Sequence, residues 1–229
     1  MDFKILILQI INDSTFVEYS NEPLTISVFD LLFKGGFMMI PIFILFVLSV
    51  YILFEKLFVL KKESKNIKGF NKEIKNRVSQ GDINGAKLIC QDTNTPSSRM
   101  ILKGLNRINS NLKSIEASIE NVGKIEIYNL EKNLSLLATI SGAAPMMGFL
   151  GTVTGMIQAF ISIAQEEGAV SPKLLSSGIY EAMITTASGL FVGIIAYLSY
   201  NYLVAKVQKL IHNMEYSSIE FLDLLQEKR

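Results

Sequence analysis

Residues Leu134–Ala164, LSLLATISGAAPMMGFLGTVTGMIQAFISIA, run for thirty-one positions without a charged side chain. About twenty apolar residues cross the hydrocarbon of a bilayer as a helix, so this run commits the chain to a membrane. A plain anchor would be built of Leu, Ile and Val. This run instead carries Ser141, Gly142, Ala143, Ala144, Gly148, Gly151, Thr152, Thr154, Gly155 and Ala159. Gly148, Gly151/Thr152, Gly155 and Ala159 recur at steps of three and four, which lays small residues along one helix face. Such stripes let membrane helices approach closely. Two readings stay open at this point. The stripe serves packing alone, or it lines a pathway to which Thr152 and Thr154 add hydroxyls at mid-span.

Two further runs have the length of a span. Gly35–Phe54 holds twenty residues without a charge, and Pro41 near its start is tolerable because few helix donors are lost there. Glu55 and Lys56 mark its exit. After Gly36 it has no small-residue stripe, so it reads as the lipid-facing member. Ala182–Ala205 holds twenty-four uncharged residues, begins directly after Glu181 and is flanked by Lys206 and Lys209. Gly178, Ala182, Thr185/Thr186, Gly189 and Gly193 give it a stripe of its own, so the second and third spans both want close helix neighbours. The composition agrees with a membrane class, with 49% hydrophobic residues and a mean hydropathy of +0.34. With one Cys (Cys90) and one His (His212), an internal disulfide and a His/Cys metal cluster are excluded. His212 lies in a charged tail well past the last apolar run, so hydrolase and metalloenzyme chemistry has no constellation to stand on. The expectation is a protein that is not an enzyme and needs no metal or cofactor.

Charge sets the orientation. Lys61–Lys132 holds 14 Lys/Arg against 8 Asp/Glu, an excess that marks the cytoplasmic side. The basic residues are interleaved with acids and accompany no nucleic-acid motif, so no nucleic-acid partner is expected. The connection Gln165–Ser177, with Glu166 and Glu167, is short and slightly acidic, as an outer turn would be. The fold class read from these features is an all-α membrane protein. It has three transmembrane helices with long cytoplasmic helical extensions, the N-terminus outside and the C-terminus inside. The divisions are an N-terminal periplasmic or interfacial segment at 1–34, a first span at 35–60, a cytoplasmic helical domain at 61–132, a second span at 133–165, a periplasmic loop at 166–177, a third span at 178–205 and a cytoplasmic tail at 206–229. Phe3–Ile11 is too short to span, which leaves a signal-peptide core, an interfacial helix or neither, and an uncleaved amphipathic helix on the membrane surface is the favoured reading. In the cytoplasmic domain Asp82 is an N-cap, and Thr95 followed by Pro96 is a second one. From Met100 to Leu130 apolar residues recur at helical spacing, a pattern that runs on into the second span. Met214–Arg229 is amphipathic and fit to pack on its own assembly.

Glu181 is the one ionisable group at the edge of the apolar region. A carboxylate there marks an ion path or a paired charge, unless it is a boundary residue touching headgroups and water. On an ideal helix Thr185 shares its face, whereas Thr186 lies roughly 140° round. Their hydroxyls both donate and accept, so they can solvate a proton or a partner carboxylate. The spans hold no acidic pair, so proton movement would need a second, acid-bearing membrane helix.

The residues resemble the ExbB/TolQ/MotA family of ion-motive-force stator subunits, most closely its ExbB/TolQ branch. The likeness is strongest in LATISGAAPMMGFLGTVTGMIQAF (Leu137–Phe160), through Ala144-Pro145, Gly148, Leu150-Gly151-Thr152-Val153 and Gly155-Met156. It continues in GIYEAMITTASGL (Gly178–Leu190) through Glu181-Ala182, Thr186, Gly189 and Leu190. Gly81-Asp82, Ala86, Cys90 and Pro96, the Lys103-Gly104-Leu105 triplet and KGGFMMIPI before the first span support it. The likeness covers roughly Leu31–Ala205, with an extra N-terminal Met1–Leu32 and Ala143-Ala144 before the proline as departures. MotA, with four spans, is less similar.

The resemblance implies a homo-oligomer, a pentameric ring whose second and third spans line a pore. It implies an ExbD/TolR-like single-span partner carrying a membrane Asp, and a TonB/TolA-like protein that reaches across the periplasm from the bacterial inner membrane. Thr152, Thr186 and Glu181 match the family's pore residues, and Thr185 is kept beside them on helix geometry. Gly148, Gly151, Gly155, Pro145, Gly189 and Gly193 are expected in helix packing. A proton binding the partner's Asp would let that helix rotate against the ring, each crossing supplying roughly 2.3 kcal/mol per 100 mV. An uptake role of the ExbB-ExbD-TonB type and a TolQ-type envelope role fit this equally. A passive scaffold would not need Glu181 or the hydroxyls, and a self-sufficient transporter would offer inverted repeats or several intramembrane charges.

Overall fold

A computed structural model describes residues 35–63, 67–165 and 172–227. The surface helix expected over Phe3–Ile11 and residues 166–171 of the outer connection lie outside the described residues, and the last helix begins at Pro172, inside the stretch expected as that connection. Among those described, every regular element is a helix: α1 (Met39–Glu63), α2 (Ile67–Ser79), α3 (Ile83–Thr93), α4 (Pro96–Asn106), α5 (Leu112–Glu131), α6 (Leu134–Gln165) and α7 (Pro172–Glu227). Three stretches are long and apolar enough to cross a membrane, in α1, in α5–α6 and in α7.

The first helix starts later than the apolar run does. Gly35–Met38 form a turn, with Gly36 at φ +65, and the Met39 amide donates to the Gly36 carbonyl at 3.1 Å. Pro41 falls in the first turn of α1, where its missing N–H would have had no intrahelical acceptor. One face of α1 is buried, through Ile42, Ser49, Ile52, Lys56 and Leu60. The opposite face, with Phe43, Val47, Tyr51, Phe54 and Phe58, stays exposed as a lipid-facing surface would.

Asp82 caps α3 by accepting from the Gly85 amide at 2.9 Å. Thr95 caps α4 in a capping box, each of Thr95 and Ser98 accepting from the other's amide, with Pro96 at the first helical position. The apolar pattern does not pass unbroken into the second span. Lys132 ends α5 and Asn133 stands at φ +67 before α6 begins. Asn enters that left-handed region more readily than most residues because its short polar side chain can bond locally. A 54-residue span candidate therefore hides a break at Lys132 and Asn133.

The tail is likewise not a separate segment. α7 is one helix of 56 residues, which at 1.5 Å per residue is roughly 80 Å long. Its upper part lies against α6 and α1, and its lower part carries Leu203, Val207, Leu210, Met214, Phe221 and Leu225 into one core with α2, α4 and α5. At Gly104 of α4 the helices come close: a Cβ there would lie 2.8 Å from Ile119 Cδ1 and 2.9 Å from Phe221 Cε1. Cys90 is part of this core, and burial pushes its thiol up to about 12, so it packs as a small hydrophobe.

Polar contacts tie α1 to the bend. The ammonium of Lys56, which is only 2% exposed, donates to the Leu130 carbonyl at 3.2 Å and the Asn129 carbonyl at 3.3 Å. These are last-turn carbonyls of α5, the negative end of its dipole. Asn133 donates to Glu55 at 3.2 Å. Nearby, Arg99 of α4 grips Glu126 of α5 with a two-pronged pair at 2.8 and 2.7 Å and approaches Glu63 of α1 at 3.6 Å. Lys56→Met should cost about 1–3 kcal/mol, because it leaves the buried Leu130 carbonyl and the partly buried Asn129 carbonyl short of a donor. A thermal melt of the purified chain checks this, with the exposed Lys61→Met as the variant expected to leave the midpoint in place.

Candidate functional site

The two small-residue stripes face each other along an antiparallel α6–α7 seam. A Cβ at Gly189 would lie 2.6 Å from the Ala144 carbonyl oxygen and 2.8 Å from Gly148 Cα, so the two backbones touch there. A Cβ at Gly148 would meet the Thr185 carbonyl at 2.9 Å, and one at Gly155 would meet Ala182 Cβ at 3.1 Å. Gly178 faces Ala159, and a Cβ at Gly193 would lie 2.5 Å from the Pro145 ring. Gly142, outside the seam, has nothing within 4 Å of such a Cβ.

Threonines decorate this seam in different ways. Thr185 is 1% exposed; its hydroxyl donates to the Ala182 carbonyl at 2.8 Å and sits 2.5 Å from where a Cβ on Gly151 would be. It fills the seam. Thr186 is half-buried, and its hydroxyl crosses to α6 to donate to the Gly148 carbonyl at 2.9 Å. That carbonyl is the acceptor an α-helix pairs with the amide of Thr152. Thr152 is also half-buried and donates to the Phe149 carbonyl at 2.6 Å, while Thr154 donates back to Leu150 and Gly151 at 3.1 Å each. Each threonine donor is thus satisfied by a carbonyl, which leaves hydroxyl lone pairs free to accept from a proton carrier.

Glu181 leaves the seam on another side. Its carboxylate lies against Gly36 of the turn before α1, so closely that a Cβ on Gly36 would overlap Oε1. Five residues apart, Glu181 and Thr186 are roughly 140° apart around α7, with Thr185 and the Gly151 contact between them. Thr186 is thereby brought to α6 beside Thr152, and Glu181 is brought to α1. Gly36 is a contact that the residue pattern did not single out, although the Gly35-Gly36 pair ahead of an apolar run was its visible sign. Beside the seam, Met146, Phe149, Leu150 and Val153 leave an open apolar groove on α6. No group of three His, Cys, Asp or Glu among the described residues could hold a metal ion.

A family model described as the MotA/TolQ/ExbB proton channel family matches residues 92–216, more than half of the chain. The chain belongs to that family. The matched stretch takes in the α6–α7 seam with Thr152, Glu181, Thr185 and Thr186, and leaves α1 outside. Among individual relatives, a putative biopolymer transport protein ExbB homolog of Methanothermobacter thermautotrophicus is 33% identical over 52% of this chain and 42% of its own length. The Tol-Pal system protein TolQ of Haemophilus influenzae is 39% identical over 36% of each chain. The biopolymer transport protein ExbB of Aquifex aeolicus is 40% identical over 38% of this chain and 57% of its own length. The matches thus span less than two thirds of each of these relatives.

The backbone contact at Gly189 separates a seam position from a free one. Gly189→Ala should destabilise this family member by about 1–3 kcal/mol, since backbone atoms must move apart. Gly142→Ala should be neutral or stabilising by up to about 1 kcal/mol, the helix penalty of glycine. Melting midpoints of the two variants check the pair.

Proposed function

We propose that this chain is the proton-channel subunit of an inner-membrane machine that couples the proton motive force to work at the outer membrane, of the ExbB-ExbD-TonB uptake type. The observation that carries this reading is the hydroxyl of Thr186 on the Gly148 carbonyl beside Thr152. It is a polar thread through a seam that is otherwise glycine, alanine and hydrocarbon, inside the stretch that matches the proton channel family. Thr152, Thr186 and Glu181 are the ion-path residues in this proposal, and Thr185 holds the seam beneath them.

Hydroxyls relay a proton but do not store one at neutral pH, and the uncharged runs Gly35–Phe54, Leu134–Ala164 and Ala182–Ala205 hold no acid, Glu181 standing at the edge of the third. A partner must therefore bring the carboxyl that is loaded and unloaded: a single-span ExbD/TolR-like helix carrying a membrane Asp. The exposed apolar faces of α1, α6 and α7 leave room for lipid and for further copies of the chain, and a closed ring, a pentamer in this proposal, would place a partner helix at its centre. Neutralising the partner's Asp removes the cost of a charge in hydrocarbon, which frees that helix to turn against the ring. A TonB/TolA-like protein would carry the motion outward. The N-terminus is placed outside and the basic helical domain inside by charge. A TolQ-type role in the envelope is the second reading, supported by the similarity to the Haemophilus influenzae TolQ.

The test is energised activity in cells that express each variant with the chain's own neighbouring partners. Thr152→Ala, Thr186→Ala and Glu181→Ala should each lower force-dependent activity by about tenfold, equivalent to about 1.4 kcal/mol, with the oligomer intact on native gels. Thr185→Ala should instead loosen the assembly. Full activity in all three path variants would remove the path and leave the stripes as packing.

A further inference from the structure

We propose that the Gly35–Gly36 turn at the head of α1 is a seat for the Glu181 carboxylate, and that Gly36 is a positioning residue for the ion path. The proposal rests on Glu181 belonging to that path. The carboxylate occupies the space a side chain at position 36 would need: a Cβ there would overlap Oε1, lie 2.8 Å from Cδ and 3.5 Å from Cγ of Glu181. The backbone at Gly36 is also left-handed, at φ +65, a region open to glycine without strain. Two independent features of this one position thus require the absence of a side chain. One of them is the carboxylate itself.

The seat extends beyond a single atom pair. At Gly35 the space of a Cβ is taken first by the Met39 side chain, with Sδ at 2.8 Å, and then by Ile184 of α7 at 3.3 Å, so α7 also reaches the turn one helical turn beyond Glu181. The turn is wound directly into α1, through the Met39 amide on the Gly36 carbonyl at 3.1 Å and the Ile40 amide on the Phe37 carbonyl at 3.3 Å. Glu181 therefore rests beside the turn that leads into a 25-residue helix, at the positive end of its dipole. With its far end fixed through Lys56 to the bend before α6, α1 spans from the carboxylate on one side of the membrane to the α5–α6 joint on the other. A helix that reads as a lipid-facing outer member thus has a second task. It sets the height and direction of the carboxylate that α7 presents.

The test is a double-mutant cycle on the full chain, with Gly36→Ala, Glu181→Asp and the two combined, read by melting midpoint and by proton flux of the partner-bearing complex in vesicles. Shortening the side chain by one methylene withdraws the carboxylate from the added methyl but leaves the left-handed strain in place. Gly36→Ala is expected to reduce flux about fivefold when Glu181 is intact and by less than about twofold in the Glu181→Asp background, with non-additive melting shifts. Equal losses in both backgrounds would mean strain alone and would overturn the seat. Should Gly36→Ala fail to assemble in both, amide exchange decides in Glu181→Ala, which keeps the glycine. Faster exchange confined to Phe37–Ile40 is the expected result, and unchanged exchange overturns the proposal. If Glu181→Asp and Glu181→Ala leave flux untouched while the melting shifts remain non-additive, the seat stands and the ion-path reading of Glu181 fails instead.

Discussion

The approach of α6 to α7 at backbone distance is the constraint from which the other features follow. Lipid tails are as apolar as leucine, so membrane helices gain little from hydrophobic burial against one another and depend on close packing. Gly148 against Gly189 allows that closeness, and closeness is what lets the Thr186 hydroxyl reach the Gly148 carbonyl on the neighbouring helix. A pair of leucine-faced helices would stand too far apart for this bond. The packing thus places the hydrogen bond between Thr186 and Gly148.

The second constraint is the length of α7. One uninterrupted helix carries the seam and the core shared with α2, α4 and α5, so Thr186 sits on the same rod that bears Met214 and Phe221. By contrast, α5 and α6 are divided at Asn133, and the division is held by Lys56 and Glu55 of α1. The chain therefore pairs a continuous helix with a jointed one. α1 is the strut that touches both, at Glu181 and at the joint.

Much of this was legible in the residues because it is local. The span lengths, the two stripes, the Asp82 cap and the Thr95-Pro96 start each depend on neighbours close by in the chain, and a sequence displays those directly. The break at Asn133 was hidden because apolar residues recur at helical spacing before it, at Ile127 and Leu130, and after it, at Leu134 and Leu137. Lys56 looked like a marker of the membrane surface, since nothing near it in the chain announces carbonyls 73 and 74 residues away. Helix phase set Thr185 on the face of Glu181 and Thr186 apart, whereas Thr185 and Thr186 both meet α6 and Glu181 lies against Gly36. Those neighbours depend on contacts between helices far apart in the chain. The fold was thus readable down to its three apolar helices, and the pairings of Glu181, Thr185 and Thr186 were not.

The central claim is that protons pass along this seam with the help of an acid brought by a second chain. Its most direct test is proton uptake by vesicles containing the full complex isolated from its own membranes, under an imposed potential, against vesicles containing this chain alone. The account predicts potential-driven uptake for the complex, little for the chain alone, and a co-isolated single-span protein with an Asp in its membrane segment. Equal uptake by the chain alone, or none by an intact complex that includes such a partner, would contradict it.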